Sequence, residues 1–395
     1  MDKIKINNAK ILTPYKIIPN GTILIENGKI LNVVRGDLHV EGFLEINASG
    51  RYVSPGFIDI HSHGGGGHDF MDGTAESYIG AAECHARYGT TSIVPTTLTS
   101  TNEELKNTFA VFKEAKKKNG NGAELLGIHL EGPYFAMSQR GAQDPKYIRN
   151  PNPREYKEIL SWSDDIIRWS AAPELEGTVE FAMELKKKGI LASVAHSDAI
   201  YEEVQEAFEN GFTHITHLYS AMSGVRRINA YRYAGVIESA FLIDEMTVEI
   251  IADGCHLPES LLKLIYKIKG PDHIALVTDS MRAAGLPEGE SILGSLKNGQ
   301  KVIVEDGVAK LMDRTAFAGS VATADRLVQT MITLADVPLI DAVKMMTATP
   351  AKIIGVDRIK GSLAPGKDAD IVMFDDNVHI EMTMIKGKIV YKKTM

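Results

Sequence analysis

Eight short β-branched runs, each followed by a longer amphipathic stretch, set the strongest limit on what this chain can become. They are "YVSPGFIDIHSH", "TTSIVPTT", "ELLGIHLEG", "IIRWSAAPE", "ILASVAHSD", "FTHITHLYS", "TVEIIADG" and "HIALVTDS". Between them lie segments of helical periodicity, among them Asn102 to Lys118, Thr178 to Lys188 and Tyr201 to Glu209. Strand runs that alternate with helical ones build βα units around a parallel sheet. Eight of them favour a closed (β/α)8 TIM barrel over an open doubly wound sheet.

The two ends have another texture. Residues 1–56 and 357–395 read as short alternating strands, punctuated at the N-terminal end by Asn-Gly pairs of the hairpin kind. The expected α/β architecture is therefore a barrel over residues 57–356 with a small β-sandwich domain formed from both termini. At 395 residues the chain has room for a barrel of about 250 residues and a smaller module.

Composition narrows the function classes. Apolar residues make up 44% and charged residues 24%, as in ordinary globular proteins. A net charge of -8 without a long basic stripe argues against a nucleic-acid partner. No apolar run reaches the roughly 20 residues that span a bilayer, and the first residues show no signal-type apolar core. Two cysteines, Cys84 and Cys255, form no disulfide framework and suit a reducing compartment. The expected setting is cytoplasmic.

The informative observation is where each run stops being apolar. The first ends at His61 and His63, the third at Glu131, the fifth at His196, the sixth at His217 and the eighth at Asp279. In a (β/α)8 barrel these ends converge on one mouth, where active sites lie. Imidazoles and carboxylates without a thiolate cluster suit a hard-to-borderline divalent metal. His61 and His63 differ by two, so a strand points both the same way. Glu131 is placed to bridge their ion to a second one held by His196 and His217, a pair that would supply hydroxide near neutral pH.

A lone histidine at a strand end is more often a structural residue than a ligand; several at converging ends are a metal site. Asp279 has a second reading as the N-cap of the next helix. Other histidines serve as controls. His39, His85 and His273 belong to no such constellation. His214, three residues before His217, is expected on the opposite face, and His129 shares the Glu131 face but lies deeper. His68 is undecided. The glycines of "HGGGGHDF" lack the closing Lys-Ser/Thr of a phosphate loop and the spacing of a dinucleotide fingerprint.

"PGFIDIHSHG", "HLEGP", "AHSDA", "THLYSAM", "DGCHLP", "LVTDSM" and "AFAGS" occur in this order, followed by "TPAKIIGV" and "KGSLAPGKDADIV". Together they resemble N-acetylglucosamine-6-phosphate deacetylases of the amidohydrolase superfamily, over nearly the whole chain. The resemblance implies hydrolysis of the acetamide of N-acetylglucosamine 6-phosphate by a metal-bound hydroxide. It makes Glu131, His196 and His217 ligands of the metal common to the family, and His61 and His63 ligands of a second. The cofactor implied is a divalent transition metal, two ions per subunit, with Zn, Fe, Mn and Co all suited to these donors. Asp279 matches the general base, which takes a proton from water and returns it to the departing amine. His256 matches a sugar-contacting histidine, and the turn at Gly319 a wall around the acetyl group.

The departures lie at the phosphate end. Ser220, before Ala221, stands where relatives commonly carry a phosphate-contacting asparagine. Arg226 and Arg227 are the candidate phosphate ligands, since guanidinium binds phosphate bidentately, with Arg232 a third. Gln143 stands where some relatives have histidine. Family analogy further implies a homodimer whose partner arginine completes each mouth. The nearest alternative is the same reaction on N-acetylgalactosamine 6-phosphate. A cyclic amidase or D-aminoacylase would need a bridging lysine in place of the "HLEGP" glutamate, and an inactive binding module would have lost ligands that this chain keeps.

Overall fold

The computed structural model describes residues 3–394. Eight parallel strands form the barrel in sequence order: Phe57–Ser62, Thr90–Thr97, Ile128–Glu131, Ile166–Ala171, Leu191–Val194, Phe212–Ile215, Thr247–Ile250 and Ile274–Leu276. The seam between the eighth and the first is closed beyond the regular ladder, where Asp279 N–H donates to His61 O at 2.9 Å and His63 N–H to Ser280 O at 2.8 Å. Two runs divide. The first splits into Tyr52–Pro55, which belongs to the small domain, and the barrel strand Phe57–Ser62. The third splits into Glu124–Leu125 and Ile128–Glu131, both beside the second strand.

The helices follow the sequence pattern closely. Asn102–Lys118 starts where Thr101 accepts from Glu104 N–H and the Glu104 side chain reaches back, a capping box that satisfies two free donors. Acidic residues fill its first turn and three lysines its last, which complements the helix dipole. Its buried face carries Leu105, Phe109, Phe112 and Ala115. Thr178–Lys187 and Tyr201–Asn210 each fall within one residue of expectation.

The two termini meet in one small sheet domain. Ile371–Phe374 pairs antiparallel with Tyr52–Pro55, which lies beside Lys3–Leu12, so eight strands share one continuous ladder. Ile6, Ile11, Ile23, Ile25, Ile371 and Met384 pack in its core. One element has no counterpart among the eight expected units. A three-stranded antiparallel insert, Gly289–Leu293, Gln300–Glu305 and Val308–Leu311, follows the eighth strand and brings Leu293 to the barrel mouth.

A buried lysine ties the domains together. Lys360 is 2% exposed, and its ammonium lies 2.5 Å from Asp370, 3.2 Å from Asp368 and 2.7 Å from Glu124 of the barrel sheet. These carboxylates also form a metal-type cluster, but the ammonium already supplies its positive charge. Replacing Lys360 by methionine leaves buried carboxylates uncompensated. It should lower the unfolding free energy by about 3–5 kcal/mol in urea titrations.

Candidate metal centre and substrate cavity

Six of the residues singled out at the strand ends come together at the barrel mouth. His61, His63 and Asp279 form one metal-type group and Glu131, His196 and His217 another, each with its donor atoms within 4.8 Å of one another. Glu131 joins the groups. Its Oε1 lies 3.5 Å from His61 Nε2, 3.4 Å from His196 Nε2 and 3.1 Å from His217 Nε2, and its Oε2 lies 3.4 Å from His63 Nε2. Asp279 Oδ1 approaches the Nε2 atoms of His61 and His63 at 3.4 and 3.2 Å.

The backbone explains how distant strands aim at one point. His196, His217 and Asp279 follow their strands in left-handed conformation, at φ 47°, 29° and 43°. Side-chain parity ends where a strand does, so residues in this conformation are turned inward regardless of register. This corrects the expectation for His214. It is buried, and its Nε2 lies 3.5 Å from Glu249 inside the barrel, although His217 three residues on also faces the centre. Asp279 caps no helix; its carbonyl accepts from Ser320 N–H at 2.8 Å. Gly319, at φ 75°, allows that approach, since a Cβ there would lie 3.0 Å from Asp279 O.

The imidazoles suit a metal because of what their other nitrogens do. His61 Nδ1 lies 3.0 Å from Glu249 Oε2, His63 Nδ1 3.2 Å from Thr96 O and His196 Nδ1 2.8 Å from Gln139 O. Each neighbour is an acceptor, so each Nδ1 carries the hydrogen and Nε2 is left with its lone pair. Those lone pairs face carboxylate oxygens, an arrangement that a shared cation resolves. His61 Nε2 is buried without a hydrogen-bond partner. Burial alone would push the Glu131 carboxyl up, but His61 and its bonds to His196, His217 and His63 hold it well below the usual carboxylate range. Burial is likewise outweighed at Asp279 by His61 and His63, which lower its carboxyl. The donor set fits a divalent metal.

Beneath the centre lies a polar interior that the sequence reading missed. Arg168 and Glu249 are fully buried and ion-paired. Arg168 also donates to Ser193 Oγ at 3.0 Å and Thr216 Oγ1 at 2.7 Å, while Glu249 accepts from His217 N–H at 3.2 Å. Arg168 leads the causes that hold Glu249 well below the carboxylate range against its burial. His129 bridges Thr96 Oγ1 and Ser170 Oγ and packs edge-on against the His61 ring at 4.8 Å. Burial, with Arg168 and His61 nearby, depresses its pKa well below the histidine range. The available signal was a charged residue inside an apolar strand run, in "IIRWSA" and "TVEII".

Above the centre opens a cavity of about 480 Å³, within the range of small-ligand sites. Ser220, Ala221, His256, Gln143 and Gly319 line it. His256 Nδ1 lies 2.7 Å from Asp253 Oδ2, which leaves Nε2 as its free nitrogen. Gln143 is engaged with the centre itself: its Nε2 donates to Glu131 Oε2 at 2.8 Å. Arg226 and Arg227 are not brought into the cavity. They lie on the hairpin Arg226–Ile228 and Tyr231–Tyr233, where Arg226 is 3.9 Å from Asp198 and Arg227 is exposed. Among the described residues, no lysine or arginine lines the cavity. His85 is buried against Gly64 O and Ser280, and His39 is exposed.

Residues 52–390 match the amidohydrolase family, and the chain belongs to it. Several of its relatives within that family are N-acetylglucosamine-6-phosphate deacetylases. The Bacillus subtilis protein of that name is 34% identical over 395 residues, covering 99% of this chain and 98% of its own length. The Lysinibacillus sphaericus one is 34% identical over 375 residues, covering 93% of this chain and 92% of its own. The crystal structure of N-acetylglucosamine-6-phosphate deacetylase from Pasteurella multocida superimposes with a TM-score of 0.91 at 29% identity, covering 99% of this chain and all of that one.

The Arg168–Glu249 pair should behave as a unit. Arg168→Met and Glu249→Gln each strand a buried charge and should cost about 3–5 kcal/mol in denaturant titrations. The double variant should cost less than the sum by about 1–3 kcal/mol. Strict additivity would show that the two charges are not coupled.

Proposed function

We propose that this chain hydrolyses the acetamide of N-acetyl-D-glucosamine 6-phosphate to D-glucosamine 6-phosphate and acetate, in a metal-dependent reaction. The observation that carries the reading is the convergence of four imidazole Nε2 atoms and the Asp279 carboxylate around Glu131, at the floor of the cavity. Relatives that bear this deacetylase name match nearly the whole chain.

Glu131, His196 and His217 would hold one divalent ion, and His61, His63 and Asp279 a second, drawn from Zn, Fe, Mn or Co. Bound there, such ions polarise the acetyl carbonyl and make water acidic enough to attack near neutral pH. The carboxylate of Asp279 takes the proton of the attacking water and delivers it to the amide nitrogen as the C–N bond breaks. His256, oriented by Asp253, accepts from a sugar hydroxyl at Nε2. Gln143 steadies Glu131 from the side.

A phosphate dianion needs a cation that the lining does not supply. Arg226 or Arg227 of the hairpin therefore meets the phosphate, beside Ser220 and Ala221, in a homodimer where the hairpin of one subunit completes the mouth of the other. Two free cysteines support a reducing, cytoplasmic setting, and the net charge of -8 supports a small-molecule rather than a nucleic-acid partner. Among the described residues no helix is long and apolar enough to cross a membrane.

A second reading, the same reaction on N-acetylgalactosamine 6-phosphate, is favoured by one relative. The Escherichia coli O157:H7 protein named for that deacetylase is 32% identical over 338 residues, covering 85% of this chain and 87% of its own. Steady-state kinetics on both sugars, with and without the phosphate, decide between them. Metal analysis of the same preparation should find up to two transition-metal ions per chain. Absence of both metal and acetate release sinks the enzyme reading. Asp279→Asn should lower kcat by about 10²–10⁴-fold; near-normal turnover would remove it as the proton carrier.

A further inference from the structure

The catalytic cavity shares a wall with a second cavity of about 330 Å³. Leu98, Gly141, Ala142, Gln143 and Leu293 line both and form the partition. Its polar half is Gln143, which donates to Glu131 at 2.8 Å and accepts from Thr99 N–H at 2.9 Å. Its apolar half is Leu98, Ala142 and Leu293, packed into the cluster that the inserted sheet forms with Met281 and Ala318. Leu98 Cδ1 lies so close to Gly294 that a Cβ there would come within 3.2 Å. The leucine therefore seals the gap beside Leu293.

The deacetylase reading, on which this inference rests, fixes which part of the substrate meets the wall. The sugar-side residues Ser220, Ala221 and His256 follow the sixth and seventh strands. Leu98 follows the second strand and Leu293 belongs to the insert after the eighth. A secondary amide is planar and trans, so its acyl chain and its sugar carbon point away from each other across the C–N bond. With the carbonyl carbon at Glu131 and Asp279 and the sugar toward His256, the acyl group points at Leu98, Ala142 and Leu293.

We propose that Leu98 and Leu293 set the length of the acyl group this chain removes, and that the cavity behind them is the space a longer chain enters once either is shortened. The chemistry is unchanged. The C–N bond breaks, the oxygen of water bonds to the acyl carbon, the amine takes up the proton and a carboxylate of any length departs.

The test is kcat/KM for glucosamine 6-phosphate bearing N-acetyl, N-propionyl, N-butyryl and N-hexanoyl groups, in the parent, Leu98→Ala and Leu293→Ala. The parent should lose activity steeply beyond acetyl. Each alanine variant should raise the butyryl-to-acetyl ratio by about 10–100-fold, the scale of one or two methylenes in an apolar pocket. Ser100 lines the second cavity and not the catalytic one, and adding Ser100→Trp to Leu98→Ala should remove the gain. An unchanged ratio in the alanine variants, a gain that survives Ser100→Trp, or a parent that already takes butyryl as well as acetyl would each overturn the proposal. Should one alanine variant fail to fold, the other carries the test. A parent that removes no acyl group of any length overturns the deacetylase reading itself, and this inference with it.

Discussion

The geometry of the centre hangs on an ion pair that lies outside the cavity lining. Arg168 and Glu249 lie fully buried inside the barrel, and Glu249 divides its oxygens between them and the site: Oε1 to the guanidinium, Oε2 to His61 Nδ1 and His217 N–H. The pair thereby sets the tautomer of one candidate ligand and the backbone position of another. A TIM-barrel interior is usually layered with branched aliphatic side chains. Here the upper interior is a hydrogen-bonded network running from Thr96 through His129, Ser170 and Thr216 to Arg168. Each group in it is satisfied only while its neighbours stay in place, so the network resists small displacements of the mouth.

Above that network, the chain leaves its strands by a shared device. His196, His217 and Asp279 adopt left-handed backbone, which reaims each side chain at the barrel axis at a cost of order 1 kcal/mol or more per residue. The surrounding bonds outweigh that cost. Asp279 is held on both sides, its N–H by His61 O and its carbonyl by Ser320 N–H. Closure of the barrel seam and placement of the Asp279 carboxylate are thus one structural event.

Much of this was legible in the sequence, for reasons that differ by feature. The βα rhythm shows because buried parallel strands need β-branched runs and their helices need an apolar stripe. The six metal-type residues show because each ends such a run. His214 was misplaced because alternation was extended past Ile215, where the strand ends. Arg168 and Glu249 were passed over because an interior charge looks anomalous until its partner, 81 positions away, is known. The insert bearing Leu293 went unread because a short antiparallel sheet leaves no trace in the barrel's rhythm. Arg226 and Arg227 were chosen for their chemistry and for their place in a segment whose spacing departs from the family's, and neither says into which cavity a hairpin points.

Charge balance links these observations to the chemistry. Glu131, Asp279 and Glu249 are buried carboxylates, each held below its ordinary range, and the Arg168 guanidinium pairs with the last of them. The imidazoles around Glu131 and Asp279 offset these charges in part, and a bound cation would do so without protonating the nitrogens that face it. The small domain solves a similar problem with Lys360 among three carboxylates. At the mouth no side-chain ammonium intervenes, and the donors left facing one another are lone pairs. Gln143 fits the same logic, because a neutral amide satisfies Glu131 Oε2 without adding the positive charge that the centre reserves for a cation. The mouth therefore presents two groups of metal-type donors already turned toward one another, and the cavity opens directly onto them.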